Sequence, residues 1–245
     1  MKEMKEYTVE RPYLWAAGEE GIREAELHFR SRQYVHIPDI LSSEEALEVG
    51  ASLEEVREEF KLRFHNGVCS ASVEKLTPAV RGLLEDQLQL ARDRQIFTYL
   101  YDQWTPHRSC GKHAVCRLSA ALSSPEWFGF IERVTGIHPV SADIVGVTRY
   151  GPGHYLGPHS DRSRKKDGTR RRLAFIFNWT PDWNPEWGGV LTMVNRQGAE
   201  TPVPPKFNQL TLLDVEESAD HYKHFVTPVV TAERERLALC GFFYT

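Results

Sequence analysis

Apolar positions along this chain fall into two regimes that change over near residue 140. Before it, hydrophobic residues recur mostly at helical spacing. Residues 1–17 have no clear period and contain Pro12, so they read as an irregular lead-in or packing arm. A helix is predicted from about Glu19 to Arg30, carrying Ile22, Ala25, Leu27 and Phe29. Tyr34-Val-His-Ile-Pro-Asp reads as a short strand stopped by its proline. Ser42 and Glu45 stand at capping-box spacing and open a helix running to about Phe60. Thr77-Pro78 places an N-cap before proline, and Val80, Leu83, Leu84, Leu88 and Ala91 follow at helical period. Phe97, Tyr99, Tyr101 and Trp104 either end that helix or alternate as a strand, while residues 61–76 are mixed. Ser124-Pro125-Glu126 starts another helix, which Gly136 closes.

From Ser141 onward, short runs of Val, Ile, Thr and aromatics are cut by Gly, Pro, Asn and Asp. Strands are predicted near 142–150, 155–161, 172–179, 189–195, 208–214, 223–230 and 235–244. Strands this close together, without helices between them, argue a sandwich or jelly roll over a parallel sheet. The expected class is α+β: a double-stranded β-helix (jelly roll) core at about 141–245, flanked by a helical N-terminal part at about 1–140. No repeat or linker interrupts residues 1–245, so one domain is expected.

Composition narrows the class little. Apolar residues make up 41% and charged residues 26%, the range of a globular chain. A net charge of −4 gives no electrostatic reason to bind nucleic acid or an anionic membrane. No run approaches membrane-spanning length, and the start lacks the apolar stretch of a signal peptide. Cys69, Cys110, Cys116 and Cys240 form no Cys-x-x-Cys pair, so they read as buried or idle thiols of a cytoplasmic protein.

Chemistry concentrates in Tyr150–Asn195. His159 and Asp161 form the only His-x-Asp among ten histidines. Residues i and i+2 of a strand share a face, so this pair can grip one ion. His224 is the candidate third ligand, chosen over His221 because it heads the Phe-Val-Thr-Pro-Val strand. His154 reads as a loop neighbour; His107 and His113 read as structural. Two histidines and a carboxylate with open opposite positions form the facial triad of non-haem Fe(II) oxygenases.

The surrounding motifs carry a resemblance. Tyr-Gly-Pro-Gly-x-Tyr-x-x-x-His-x-Asp from Tyr150, Arg-x-Leu-x-Phe-x-Phe-Asn-Trp-x-x-x-Trp, Gly-Gly-Val-Leu, His-x-Val-x-Pro-Val and Arg-Leu-Ala-Leu-x-Gly-Phe-Phe occur in order. This region resembles the core of the prolyl-4-hydroxylase-like branch of the 2-oxoglutarate/Fe(II) dioxygenases. The resemblance implies Fe(II) on His159, Asp161 and His224, 2-oxoglutarate as cosubstrate and O₂ as substrate. It puts Arg236 on the cosubstrate's far carboxylate, a role suited to a planar, permanently charged fork, with Arg234 as rival. Where some prolyl hydroxylases carry a tyrosine phenol, Asn178 stands here. Ala174, Ile176 and Asn178 share one strand face, so Asn178 is expected at the pocket, with Tyr150 supplying a phenol from the neighbouring strand.

The implied reaction is hydroxylation of an unactivated C–H bond, on a proline or similar amino-acid unit of a peptide or small molecule. An oxygenase tailoring another small metabolite is the alternative. The basic run Arg162–Arg172, with Arg170, Arg171 and Arg172, and the aromatics Tyr99 and Trp104 are candidate substrate residues. Nucleic-acid demethylases of the same triad carry Arg-x5-Arg on the final strand. Phe242 and Cys240 occupy the corresponding positions after Arg236 and Arg234, so that motif is absent. Retention of Asp161 disfavours a halogenase, and the triad with Arg236 disfavours a non-catalytic cupin-like module.

Overall fold

In the computed structural model the chain is described over residues 18–73, 77–106, 110–216 and 221–245. The predicted lead-in at 1–17 and His107 lie outside the described residues. Five helices are described: α1 (Gly18–Arg32), α2 (Ser43–Glu55), α3 (Pro78–Asp93), α4 (Ala114–Ala121) and α5 (Pro125–Thr135). The caps of α2 and α5 act as expected. The Ser42 hydroxyl accepts from the Glu45 amide while the Glu45 side chain returns to the Ser42 amide. Ser124 caps α5, and Gly136 ends it in the left-handed region at φ 70°.

Twelve strands form one curled antiparallel sheet. They are β1 (Tyr34–Ile37), β2 (Lys61–His65), β3 (Ser70–Val73), β4 (Tyr99–Trp104), β5 (Ser141–Tyr150), β6 (Tyr155–His159), β7 (Arg171–Asn178), β8 (Leu191–Asn195), β9 (Glu200–Val203), β10 (Gln209–Asp214), β11 (His221–Val226) and β12 (Arg236–Tyr244). One run is ordered β1-β10-β7-β12-β5, the other β6-β11-β8-β9, and β4 joins β5 to β6. This is the expected jelly-roll core with flanking helices. Four strands lie before residue 141, so the N-terminal part is not purely helical. β4 settles Tyr99–Trp104 as a strand, with Phe97 in the connection before it, and β2 with β3 extends the sheet beside it.

Alternation on β7 sorts the interior. Leu173, Phe175 and Phe177 pack with Trp127, Phe130 and Ile131 of α5, forming the core between helices and sheet. Ala174 and Ile176 face the other way, toward Leu191, Met193 and Val226 of the second run. A strand buried on both faces reads as a continuous apolar run, as Leu-Ala-Phe-Ile-Phe does. α3 covers β4 through Leu84, Leu88 and Leu100.

Cys110 and Cys116 are joined as a disulfide, with Cα atoms 5.7 Å apart, which corrects the reading of four idle thiols. A turn at 111–112 brings the two sulfurs together without any recognisable motif spacing. A bonded pair removes the support that four free thiols would lend to a reducing compartment. No helix among the described residues is long and apolar enough to cross a membrane.

Candidate metal centre and cosubstrate pocket

The two sheet runs enclose a cavity of about 380 Å³ with a dense polar cluster on its wall. His159 ends β6, and His224 stands directly opposite it on β11. Asp161 follows just past the end of β6. Its Oδ1 lies 3.4 Å from His159 Nε2 and its Oδ2 3.2 Å from His224 Nε2. One ligand atom from each of the three residues falls within 4.8 Å of the others. Two imidazole nitrogens and one carboxylate oxygen on one side of a cavity fit Fe(II) with open positions facing the void. Burial works against the charge on Asp161, but His224 and His159 outweigh it and hold the carboxyl far below its ordinary range. The Gly157 carbonyl lies 3.0 Å from His159 Nδ1, a contact that fixes the ring and leaves Nε2 turned to the cluster.

At the closed end stands Arg236, only 2% exposed. Nη2 donates to Asn178 Oδ1 at 3.3 Å, while Nε and Nη1 meet no acceptor among the described residues. Its guanidinium lies 5.3 Å from the centroid of the buried Tyr150 ring, across the β12–β5 register. Burial lowers the Arg236 pKa and raises that of Tyr150 well above the phenol range. A buried guanidinium with two idle donors and no acid partner is a seat for a carboxylate. The Gly188-Gly189 turn shapes this end. Both residues have positive φ, and a Cβ on Gly188 would strike the Pro228 carbonyl.

The candidates taken from the sequence divide clearly. His159, Asp161, His224, Arg236, Tyr150, Tyr99 and Arg171 all line the cavity. Asn178 stands behind it and accepts from Arg236 instead of lining the void. Arg234 is exposed and borders a separate groove beside α2. His154 is a turn residue, its Nδ1 taking the Gly151 amide at 3.1 Å, and His113 meets Glu55 at 3.0 Å. The side chain of His221 lies outside the described residues.

Three substrate candidates fall away from the cavity. Trp104 has opposite strand parity to Tyr99, so it turns into the core beside Phe60 and donates to Glu59 Oε2 at 2.8 Å. Arg170 pairs with Glu216 at 2.6 Å. Arg172 pairs with Asp214 and with Glu216. Of the triplet Arg170–Arg172, Arg171 alone reaches the cavity. A register break opposite Phe243 and Tyr244 turns it inward, over the Phe242 ring at 3.9 Å, and Nη1 donates to the Asp161 carbonyl at 3.4 Å. The sequence reading did not single out Thr148, Cys240 or Phe242, which also line the cavity. Strand parity from Arg236 points to Cys240, and from Tyr150 to Thr148.

Residues 145–244 match the model of the 2OG-Fe(II) oxygenase superfamily. The fold as a whole is similar to a prolyl-4-hydroxylase from Pseudomonas putida, at 20% identity and a TM-score of 0.59 over 91% of this chain and 97% of that one. It is similar to a Trichoplax adhaerens prolyl hydroxylase solved with a hypoxia inducible factor peptide, at 17% identity and a TM-score of 0.60, covering 92% and 90%. A non-heme α-ketoglutarate-dependent epimerase from nogalamycin biosynthesis shares the fold at 14% identity and a TM-score of 0.56, covering 92% and 83%. No curated protein matches significantly. Residues 145–244 thus constitute a 2OG-Fe(II) oxygenase domain. The chain carries this 2OG-Fe(II) oxygenase domain on a prolyl-4-hydroxylase-like fold, and Fe(II) and 2-oxoglutarate are the cofactors that this domain implies.

Proposed function

We propose that the chain acts as a single Fe(II)/2-oxoglutarate dioxygenase domain that hydroxylates an unactivated C–H bond of a proline or similar amino-acid unit, peptidyl or free. 2-Oxoglutarate is converted to succinate and CO₂ in the same turnover. The observation that carries this reading is the meeting, in one cavity, of a two-histidine, one-carboxylate cluster and a buried guanidinium with no acid of its own. His159, Asp161 and His224 would hold the metal. Bound Fe(II) with 2-oxoglutarate supplies the activation of O₂ that attack on a C–H bond requires.

The remaining residues bind, orient and shield. Arg236 would take the cosubstrate's far carboxylate through Nε and Nη1, while Asn178 fixes the guanidinium from behind. Tyr150 keeps its proton and walls that end. Phe97, 5.0 Å from the His159 ring, and Tyr99 cover the metal side with apolar surface suited to a pyrrolidine-like ring. Arg171, the one arginine of its triplet without a carboxylate partner among the described residues, faces the substrate at the rim. The test is aerobic incubation with Fe(II) and 2-oxoglutarate against proline peptides, free amino acids and small metabolites. Succinate release coupled to the gain of one oxygen atom by a proline-containing compound is expected. Oxidation of an unrelated metabolite alone would replace the proline reading, and tight Fe(II) binding with no 2-oxoglutarate consumption would overturn the enzymatic one.

A further inference from the structure

The cavity wall formed by β4 continues sideways. Tyr99 and Tyr101 share the cavity face, and the β2 register sets His65 opposite Tyr99 and Arg63 opposite Tyr101. His65 stacks on Tyr99 at 5.9 Å, Tyr99 stacks on Tyr101 at 4.9 Å, and Phe97 links this row to His159. One strand further out, Ser72 stands opposite Arg63. An aromatic shelf therefore leads from a candidate metal ligand to a guanidinium. A second hollow of about 450 Å³ opens there, bordered by Arg63, Lys61, Ser72, Gln103 and Glu59.

Arg63 is partly buried, and its Nε is shielded from water with no acceptor. No hydrogen bond or ion pair of Arg63 is found among the described residues. Its neighbours differ. Arg57 meets Glu54 and Glu235, and Arg149 meets Asp102. Glu59, the one carboxylate bordering the hollow among the described residues, accepts the Trp104 indole N–H. A half-buried guanidinium left without an anion is costly unless a ligand supplies one, and it pairs a carboxylate through two parallel bonds.

We infer that Arg63 seats an acidic side chain of an extended peptide substrate, four residues away from the residue oxidised at the metal centre. The inference rests on the peptidyl form of the function proposed above. Phe97, two residues before β4, lies beside His159 and Tyr101 beside Arg63, a separation of four residues along the chain, or roughly 13 Å when extended at 3.3 Å per residue. An extended peptide laid along β4 covers that length in the same number of residues. Positions four apart in such a peptide share a face, so the reacting ring and the acid both point down at the shelf, whereas a spacing of three would turn one away.

The experiment uses the Fe(II)- and 2-oxoglutarate-loaded protein without oxygen and short fluorescein-labelled peptides. Each is neutral apart from one Glu or Gln walked outward from a central proline, and binding is read by fluorescence polarisation. The expected result is about tenfold tighter binding for Glu over Gln at one of the two positions four residues from the proline. Arg63→Gln should erase that preference. Arg63→Glu should transfer it to a Lys peptide, a rescue that only a folded protein can give. Gain at no position, or an unchanged Glu/Gln ratio in Arg63→Gln, overturns the anchor. If the Glu preference is absent but a peptide is still hydroxylated in air, the function stands and only the anchor falls. If free amino acids are oxidised and no peptide binds, the anchor falls together with the peptidyl form of the function.

Discussion

The closed and open ends of the cavity hold their cations in different ways. At the closed end Arg236 is taken almost wholly out of water, steadied by one neutral oxygen from Asn178, and left with two donors idle. At the rim Arg171 keeps some exposure and spends its donors on the Asp161 carbonyl and the Tyr244 hydroxyl, with its flat face on Phe242. A fully desolvated charge that lacks a partner gains most from one ligand of fixed shape. A half-solvated one, already occupied, gains less and tolerates variety. Cosubstrate binding should therefore be brittle to substitution, and substrate binding graded.

The largest expected effect lies between the two ends. Alanine at His159, Asp161 or His224 should abolish 2-oxoglutarate turnover and leave the dialysed protein without stoichiometric Fe(II), because each removes a ligand atom. His221→Ala should retain its metal. Next comes the closed end. Arg236→Ala should weaken 2-oxoglutarate binding by about 2–5 kcal/mol, tens to thousands of times, with iron still bound. Arg234→Ala, at an exposed position outside the cavity, should do far less. Equal, small effects from both would place the anchor elsewhere.

A third prediction separates loss of the site from loss of the fold at acid pH. His36 on β1 bonds Thr211 at 3.0 Å, and its pKa is lowered from 6.5 to about 4, by burial first and then by Lys206, Arg32 and His28. The unfolded chain takes the proton at higher pH than the folded one. Stability is thus full above pH 6.5 and falls as pH drops toward 4, by about 3 kcal/mol. Urea midpoints measured across that window should flatten in His36→Asn. An unchanged slope would assign the acid loss to other groups. The smallest effect belongs to the rim. Arg171→Gln should raise substrate KM about tenfold. Arg170→Gln and Arg172→Gln should instead loosen the pairs with Glu216 and Asp214, read as a lower Tm. A KM change shared equally by all three would make the loop a diffuse electrostatic surface.

Much of this was legible in the sequence, and the failures have physical causes. The seven strands expected after residue 141 are present because they alternate or run apolar between clear turns. β9 escaped notice because Pro202 sits in it, which an edge strand tolerates. α4 escaped because Ala114, Val115, Cys116, Leu118, Ser119 and Ala121 are all buried, leaving no polar stripe to reveal a period. β2 was within reach, since Lys61-Leu62-Arg63-Phe64-His65 alternates cleanly. Parity alone separates Trp104 from Tyr99. Arg171 is the opposite case. Alternation from Ala174 and Ile176 points to Arg172, and only the register break turns Arg171 inward.

One cavity should hold metal and cosubstrate together, with the keto acid on the iron and the far carboxylate on Arg236. Calorimetric titration of 2-oxoglutarate into the protein without oxygen, with and without Fe(II), tests it most directly. One site per chain is expected, with affinity falling at least about tenfold when the metal is removed, because the keto-acid end loses its partner. Equal affinity in the two titrations would place the keto acid away from the metal.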